Sequence, residues 1–106
     1  MYMRLSVNRL APEHRDEYLR VLQEEATAVN QAEPHCLNYH VLLGDPDDDV
    51  LVIYEVFENR DAFQEHITSP HYEDFTKRVK AFGGPITERI LKLEARSLVP
   101  SNAEWR

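Results

Sequence analysis

The spacing of apolar residues alternates between two periods along the chain, and this alternation restricts the possible folds more than any other feature. Residues 2–10 alternate apolar and polar side chains, which is typical of a half-buried strand. One side of this strand carries Met3, Leu5 and Val7, and the other side carries Arg4, Ser6 and Asn8. Segments 37–43 and 50–57 are rich in β-branched and aromatic residues, and 86–98 alternates again. The sequence therefore predicts four strands.

Two further segments repeat apolar residues every three or four positions, which is the period of an amphipathic helix. The first follows Pro12, ends before Pro34 and has an apolar face made of Tyr18, Leu22, Ala26 and Val29. The second has an apolar face made of Tyr72, Phe75, Val79 and Phe82. Ser69 and Pro70 suit the cap and first turn of this helix, and Asn59 predicts the cap of a short helix before it.

The predicted order of elements is β-α-β-β-α-β, because the short turn at 44–49 joins two strands into an antiparallel hairpin. This order predicts an α+β, ferredoxin-like fold: a four-stranded antiparallel sheet with the helices on one face. The other sheet face also carries apolar side chains, and a second copy of the chain is the simplest cover for them. We therefore expect a homodimer packed through its sheet faces.

Length, charge and cysteine content limit the possible functions. The 106 residues allow one domain, which we place at residues 1–97, followed by a polar tail at 98–106 that contains Trp105. Twelve basic residues against nineteen acidic ones give a net charge of −7, which argues against nucleic-acid and membrane partners. The single cysteine, Cys36, excludes an internal disulfide and an ordinary cysteine-based zinc site. These features predict a cytoplasmic protein.

His66 and His71 flank the Ser69-Pro70 break and are the candidates for acid–base chemistry. A neutral His71 near a helix N-terminus can accept a proton at neutral pH. Spacing alone favours a structural role, in which both rings form hydrogen bonds around the break. No His-x-x-x-His or Glu-x-x-His pattern accompanies the pair, so we expect no metal site. Aromatic residues nearby form a core or line a cavity suited to a flat, oxygenated aromatic ligand.

Three segments together resemble one known family. They are Tyr54-Glu55-Val56-Phe57, Ala62-Phe63-x-x-His66 and Ser69-Pro70-His71-Tyr72. This pattern resembles the antibiotic biosynthesis monooxygenase (ABM) family of dimeric α/β barrels. The resemblance extends to Glu33-Pro34-His35-Cys36, where the family usually has Glu-Pro-Gly-Cys, and it covers about residues 3–95.

The resemblance implies a function as well as a fold. In the quinol monooxygenase branch, a small hydroquinone-like or polyphenolic substrate is oxidised by O2 without a cofactor. For this chain it implies His66 as the base, with Asn8 and Tyr54 as hydrogen-bond partners of the substrate or its oxyanion. It also implies four substrate-binding residues: His71, Tyr72, Tyr39 and Phe63. In the haem-degrading branch an axial histidine binds the haem, but Thr76 falls near that position here, so no cofactor is expected.

Two other functions stay open. The chain also resembles isomerases of phosphorylated autoinducer-2 in the Val41-Leu42-x-x-Asp45-Pro46 hairpin and the Pro70-His71-Tyr72 step. Such an enzyme needs a cation for the phosphate, for which the candidates are Arg4, Arg9 and Arg89. The third possibility is a non-catalytic dimeric binding or stress-response module. Its sign would be a pocket filled by the protein's own Phe and Tyr side chains.

Overall fold

The chain folds into one antiparallel sheet with three helices, in a computed structural model that describes residues 1–96. The strands are β1 (Tyr2–Arg9), β2 (Cys36–Leu43), β3 (Val50–Phe57) and β4 (Ile86–Glu94). The helices are α1 (Arg15–Ala32), α2 (Arg60–Ile67) and α3 (Pro70–Ala81), with a 3-10 turn at Pro12–His14 before α1. The strands pair in the order β2-β3-β1-β4, all antiparallel. The predicted α+β, ferredoxin-like fold is confirmed.

Two expectations concern the end of the chain. The last strand was expected to continue to Leu98, whereas β4 ends at Glu94. The expected tail at 98–106, including Trp105, lies outside the described residues. None of the helices within residues 1–96 combines the length and the apolar character that a bilayer-crossing segment needs.

The caps that the sequence predicts fix where α2 and α3 begin. The Asn59 side chain accepts a hydrogen bond from the Ala62 N–H at 2.9 Å. The Ser69 hydroxyl accepts from the Tyr72 N–H at 3.3 Å, and Pro70 is the first residue of α3. Each cap satisfies a backbone donor that has no partner inside its helix. The break between the two helices is therefore a defined turn.

The buried face of α1 differs from the prediction at three positions, namely 21, 25 and 26. The helix buries Tyr18, Val21, Leu22, Glu25 and Val29, whereas Ala26 is only half-buried. Spacings of four, three and four from Tyr18 to Val29 run through position 25, so Glu25 lies on the buried stripe and is 3% exposed. A carboxylate at a core position of this kind needs polar partners within the fold.

The polar side of β1 faces the helices. Ser6 and Asn8 are 2% and 3% exposed. Met3, Leu5 and Val7 point to the other face, because successive side chains of a strand alternate. That open face continues onto neighbouring strands through Leu91, paired with Leu5, and Leu42, paired with Val52. The sheet therefore has a polar floor under the helices and an apolar outer face.

Candidate active site

A cavity of about 250 Å³ lies between the sheet and the helices. Its floor consists of strand residues, namely Arg4, Ser6, Asn8, Ile53, Glu55 and Thr87. Its walls are mainly aromatic and include Tyr18, Tyr39, Phe63, His66, Tyr72 and Phe75. A small aromatic molecule with polar substituents is the kind of ligand that such a lining can hold.

His66 is the most deeply buried titratable group of this cavity, at 1% exposure. It lies on the inward face of α2 together with Ala62 and Phe63. Its ring is surrounded by aromatic rings, with centroids 5.3 Å away for Phe57 and 5.0 Å for Tyr72. This packing holds the imidazole in one place and excludes water from most of its surface.

The two ring nitrogens of His66 have different surroundings. Nδ1 lies 2.8 Å from Glu33 Oε2 and 3.0 Å from Glu33 Oε1. Nε2 lies 3.5 Å from Glu55 Oε1. Glu33 is not among the cavity residues and Glu55 is, so Nε2 is the nitrogen on the cavity side. A carboxylate that accepts the Nδ1–H bond leaves Nε2 as a proton acceptor, the arrangement of a carboxylate-supported general base.

Glu55 and Arg4 form an ion pair across β1 and β3. Arg4 Nη1 donates to Glu55 Oε2 at 2.9 Å, and the Glu55 side chain is 4% exposed. Burial raises the pKa of the Glu55 carboxyl, and the charges of Arg4 and His66 oppose that rise. The guanidinium that lines the cavity is therefore already occupied by a carboxylate.

Asn8 is held in place from both sides. Its Nδ2 donates to Ser6 Oγ at 3.2 Å, and its Oδ1 accepts from Thr87 Oγ1 at 2.7 Å. The pairing of β1 with β4 shifts register between Val7 and Asn8, which brings Thr87 opposite Asn8. The Asn8 amide thus has a fixed orientation on the cavity floor.

Two tyrosines of the cavity wall keep their protons at neutral pH. Burial raises the pKa of the Tyr39 phenol and of the Tyr72 phenol. Each hydroxyl can therefore donate a hydrogen bond to an oxygen of a bound ligand. The cavity combines these donors with a proton acceptor, His66 Nε2.

A match to a family model identifies the family of this chain. The model described as antibiotic biosynthesis monooxygenase matches residues 1–78, which is most of the chain. The chain belongs to the antibiotic biosynthesis monooxygenase family. An uncharacterized protein of Synechocystis is 23% identical over 70 residues, which are 66% of this chain and 47% of that protein. The chain thus spans about half the length of the curated relative it matches.

Solved structures share the fold of this ABM chain. A proposed antibiotic biosynthesis monooxygenase from Deinococcus radiodurans has a TM-score of 0.81 and 21% identity, over 94% of this chain and 97% of that one. Its counterpart from Bacteroides thetaiotaomicron has a TM-score of 0.78 and 22% identity, over 97% and 94%. A third, from Chloroflexus aurantiacus, has a TM-score of 0.76 and 21% identity, over 91% and 93%. At these identities the likeness shows the fold alone.

The structure brings five of the site residues predicted for this ABM chain into one cavity. They are Asn8, Tyr39, Phe63, His66 and Tyr72. Tyr54 is not among them, because it pairs with Leu5 and so lies on the open face of the sheet, while its neighbours Ile53 and Glu55 face the helices.

His71 lies apart from the main cavity as well. It lines a second pocket of about 230 Å³ together with Glu33. Its Nδ1 contacts the Glu25 carboxylate, and its Nε2 lies 2.8 Å from Glu33 Oε2. His71 was expected to line the substrate cavity, but the structure places it in the second pocket.

Sequence reasoning missed the carboxylates that surround the two histidines. Glu33 and Glu55 both occur in the segments that resemble the family, directly before Pro34 and after Tyr54. Glu25 had a separate signal, since it interrupts an otherwise apolar helical stripe. A buried acid on such a stripe indicates a basic partner, and here that partner is His71.

Within residues 1–96, Glu25, Glu33 and His71 form a group that could hold a metal ion. One ligand atom from each lies within 4.8 Å of the others. Carboxylate oxygens and an imidazole nitrogen suit several divalent cations. The His71 ring already contacts both carboxylates, so the group can also be interpreted as a network of acid–base contacts that holds no ion.

Proposed function

We propose that this protein is a cofactor-independent monooxygenase that oxidises a small hydroquinone-like or polyphenolic substrate with O2. The observation that carries the proposal is the Glu33–His66 pair, with Nδ1 on the carboxylate and Nε2 on the cavity side. Membership of the ABM family supports the reaction class. The aromatic walls and fixed polar groups of the cavity suit the substrate class.

In this mechanism His66 starts the reaction as the general base. Its Nε2 takes a proton from a phenolic hydroxyl of the substrate, and Glu33 stabilises the imidazolium that forms. Asn8 Nδ2 and the phenols of Tyr39 and Tyr72 supply hydrogen bonds to the phenolate oxygen. The electron-rich phenolate then passes one electron to O2, and the radical pair recombines to form the C–O bond. The aromatic walls limit the access of water to the reacting atoms.

The stoichiometry explains why no external reductant is required. A hydroquinone and O2 give a hydroxyquinone and water, so the substrate gains one oxygen atom and loses two hydrogens. The second oxygen atom leaves as water with those two hydrogens. All four electrons that reduce O2 come from the substrate, which restricts the proposal to substrates at the oxidation level of a quinol.

The charge of the cavity disfavours the isomerase alternative. A phosphorylated substrate needs a free cation, but Arg4 already donates to Glu55 inside the cavity. Arg9 is exposed and pairs with Asp49 and Glu88, and Arg89 is opposite Val7 at the strand face away from the helices. The binding-module alternative predicted a pocket filled by aromatic side chains, whereas the aromatic residues here surround an open cavity.

The proposed enzyme is a homodimer in the cytoplasm. Apolar side chains on the open sheet face are well exposed in the single chain, at 46% for Leu42, 52% for Leu91 and 39% for Leu93. A second sheet packed on this face would remove that area from water. The lone thiol, Cys36, fits a reducing compartment.

Oxygen uptake tests the proposed function. We would incubate the purified protein with a panel of hydroquinones in an oxygen electrode and subtract the spontaneous rate. The intact chain is expected to consume O2, and His66→Ala to lose about 100-fold or more of the rate. His14→Ala, which removes a histidine outside the cavity, is the matched control and keeps the rate. No uptake with any hydroquinone, or full uptake by His66→Ala, would show the proposal to be wrong.

A further inference from the structure

Glu25 and His71 each carry a buried polar atom that has no hydrogen-bond partner within residues 1–96. These atoms are Glu25 Oε2 and His71 Nε2. Glu25 is 3% exposed, and a carboxylate oxygen that is buried without a partner is unfavourable. A closed network of acid–base contacts would leave neither atom unpaired. A bound ion is one of the ways in which such buried atoms are satisfied.

The two carboxylates beside His71 have no permanent positive charge as a partner. In the described part of the chain, the ion pairs of Glu25 and Glu33 are all with imidazoles, which are charged only when protonated. The Arg4 guanidinium pairs with Glu55 instead. The side chains of Glu25 and Glu33 are 1% and 12% exposed, so solvent stabilises their charges poorly. A divalent cation would balance both charges.

Glu33 and His71 approach each other in the way that two ligands of one ion do. Glu33 Oε2 lies 2.8 Å from His71 Nε2, yet the two atoms form no hydrogen bond because the ring nitrogen does not point at the oxygen. Ligand atoms at about 2.1 Å from one ion lie about 3 Å apart when they meet it at a right angle. The observed contact therefore fits two atoms that are directed towards a common third point.

Further hydrogen bonds hold these side chains in the orientation that an ion requires. His71 Nδ1 forms a hydrogen bond with Glu25 Oε1, and a proton on Nδ1 leaves the lone pair of Nε2 for a metal. Glu33 Oε2 accepts a hydrogen bond from Nδ1 of buried His66 at 2.8 Å. Metal-binding imidazoles typically donate their other N–H to a carboxylate, and metal-binding carboxylates typically accept hydrogen bonds of their own.

We propose that Glu25, Glu33 and His71 bind a divalent transition-metal ion, for which Zn²⁺ is the best match. One ligand atom from each residue lies within 4.8 Å of the others. Zn²⁺ binds imidazole nitrogen and carboxylate oxygen at similar distances, and imidazole favours it over Mg²⁺ and Ca²⁺. Glu33 and His71 line the second pocket, so water from that pocket can complete the coordination.

The metal site does not rest on the proposed function. Its three residues line no part of the main cavity, so the ion would not contact a substrate bound there. The sequence predicted no metal site because positions 25, 33 and 71 form no local motif. Glu25 lies in α1, Glu33 follows this helix directly and His71 lies in α3. Only the packing of α1 against α3 brings the three residues together.

Calorimetric titration of the full-length protein with Zn²⁺ tests the site, after dialysis against a chelator. One ion should bind per chain, and Glu25→Gln and His71→Ala should each weaken binding about tenfold or more. Glu17→Gln, on the exposed face of the same helix, and His40→Ala, at an exposed histidine, are the matched controls. Both controls should bind Zn²⁺ as the intact protein does.

Two calorimetric results would overturn the proposal. The first is that the intact protein has no site that takes up one Zn²⁺ per chain. The second is that the Glu25 and His71 variants bind Zn²⁺ as tightly as the two controls.

Nuclear magnetic resonance at one fixed pH identifies the atom that binds the ion. In protein with ¹⁵N-labelled histidines, one equivalent of Zn²⁺ should shift the Nε2 signal of His71 and leave that of His40 unchanged. The shift is measured in the intact protein, so a variant that folds poorly cannot produce it. An unchanged His71 signal, or shifts confined to the exposed residues His35 and His40, would show adventitious surface binding and contradict the site.

The outcomes separate this inference from the proposed function, because neither measurement needs a substrate. A protein that binds Zn²⁺ through His71 but consumes no O2 would disprove the function and support the metal site. A protein that consumes O2 with hydroquinones but binds no Zn²⁺ would support the function and disprove the metal site.

Discussion

Burial of the His66 imidazole is unfavourable unless its N–H finds an acceptor, and Glu33 supplies one. The hydrogen bond also selects the tautomer with the proton on Nδ1. Glu33 therefore lowers the cost of burying the ring and leaves Nε2 free to accept a proton on the cavity side. Glu58 contacts His35 at 2.9 Å at the surface. That pair has the same two side-chain types, but both are exposed. An exposed ion pair contributes little to stability.

Replacement of Glu33 is the most informative single substitution for the role of His66. Glu33→Gln should lower kcat for O2 uptake by about 100-fold or more, because an amide does not stabilise the imidazolium. Steady-state kinetics measures the effect. Glu58→Gln makes the same chemical change beside His35 and should leave kcat unchanged. Equal kcat values for the two variants would mean that Glu33 does not support the base.

The Tyr18 phenol gives a prediction about pH. Burial raises the pKa of Tyr18 to about 12, against 10.0 for the free group. The unfolded chain therefore loses the phenol proton first, and stability that is fully present below pH 10 falls as the pH rises towards 12. The loss attributable to Tyr18 is about 2–3 kcal/mol. Urea unfolding across this window should show a smaller decline for Tyr18→Phe, and an identical decline would contradict the assignment.

Each helix contributes side chains to the wall of the cavity, above the floor that the sheet forms. Helix α2 has only eight residues, yet it carries both Phe63 and His66 into the cavity wall. A helix this short depends on its cap and its packing, because an isolated helix of that length is unstable in water. The Asn59 cap thus connects helix formation with the position of His66.

Loss of the cap should therefore weaken the fold measurably. Asn59→Ala is expected to lower the free energy of unfolding by about 1 kcal/mol, because the Ala62 N–H loses its acceptor. Urea unfolding measures the change. Gln64→Ala, an exposed substitution on the same helix, should change it by less than about 0.5 kcal/mol. A cap variant as stable as the Gln64 variant would show that packing alone fixes α2.

The strands and helices were predictable from the sequence because each depends on a local pattern. The contacts between the buried carboxylates and the histidines were not predictable in this way. Alternation, helical period and the caps at Asn59 and Ser69 are all properties of neighbouring residues. The contact between His66 and Glu33 joins residues that are 33 positions apart, and only the packed fold brings them together. Tyr54 shows the same limit, since the strand was predictable but its side-chain direction was set by the register with β1.

At the scale of the whole molecule, the sheet separates two environments. The face under the helices holds buried polar groups such as Ser6, Asn8 and Glu55, and the open face is mainly apolar. An exposed apolar sheet face is typical of a surface that another molecule covers. In the proposed homodimer, association would also stabilise the sheet that forms the cavity floor.

Dimerisation is testable on the open face. Leu91→Asp places a charge beside Leu5 and should convert a dimer of twice 12.4 kDa into a monomer, as measured by sedimentation equilibrium. Leu43→Asp is the matched control, because Leu43 is 44% exposed but pairs with buried Leu51 on the helix side. An intact protein that sediments as a monomer, or equal effects of the two variants, would contradict packing through the sheet faces.

Isotopic oxygen tests the central claim most directly. The intact protein would turn over a reactive hydroquinone under ¹⁸O2, and mass spectrometry would measure ¹⁸O in the product. A monooxygenase that uses His66 as its base incorporates one ¹⁸O atom per product molecule, and His66→Ala reduces this incorporation to the spontaneous level. Product without ¹⁸O, or equal incorporation by His66→Ala, would contradict the account.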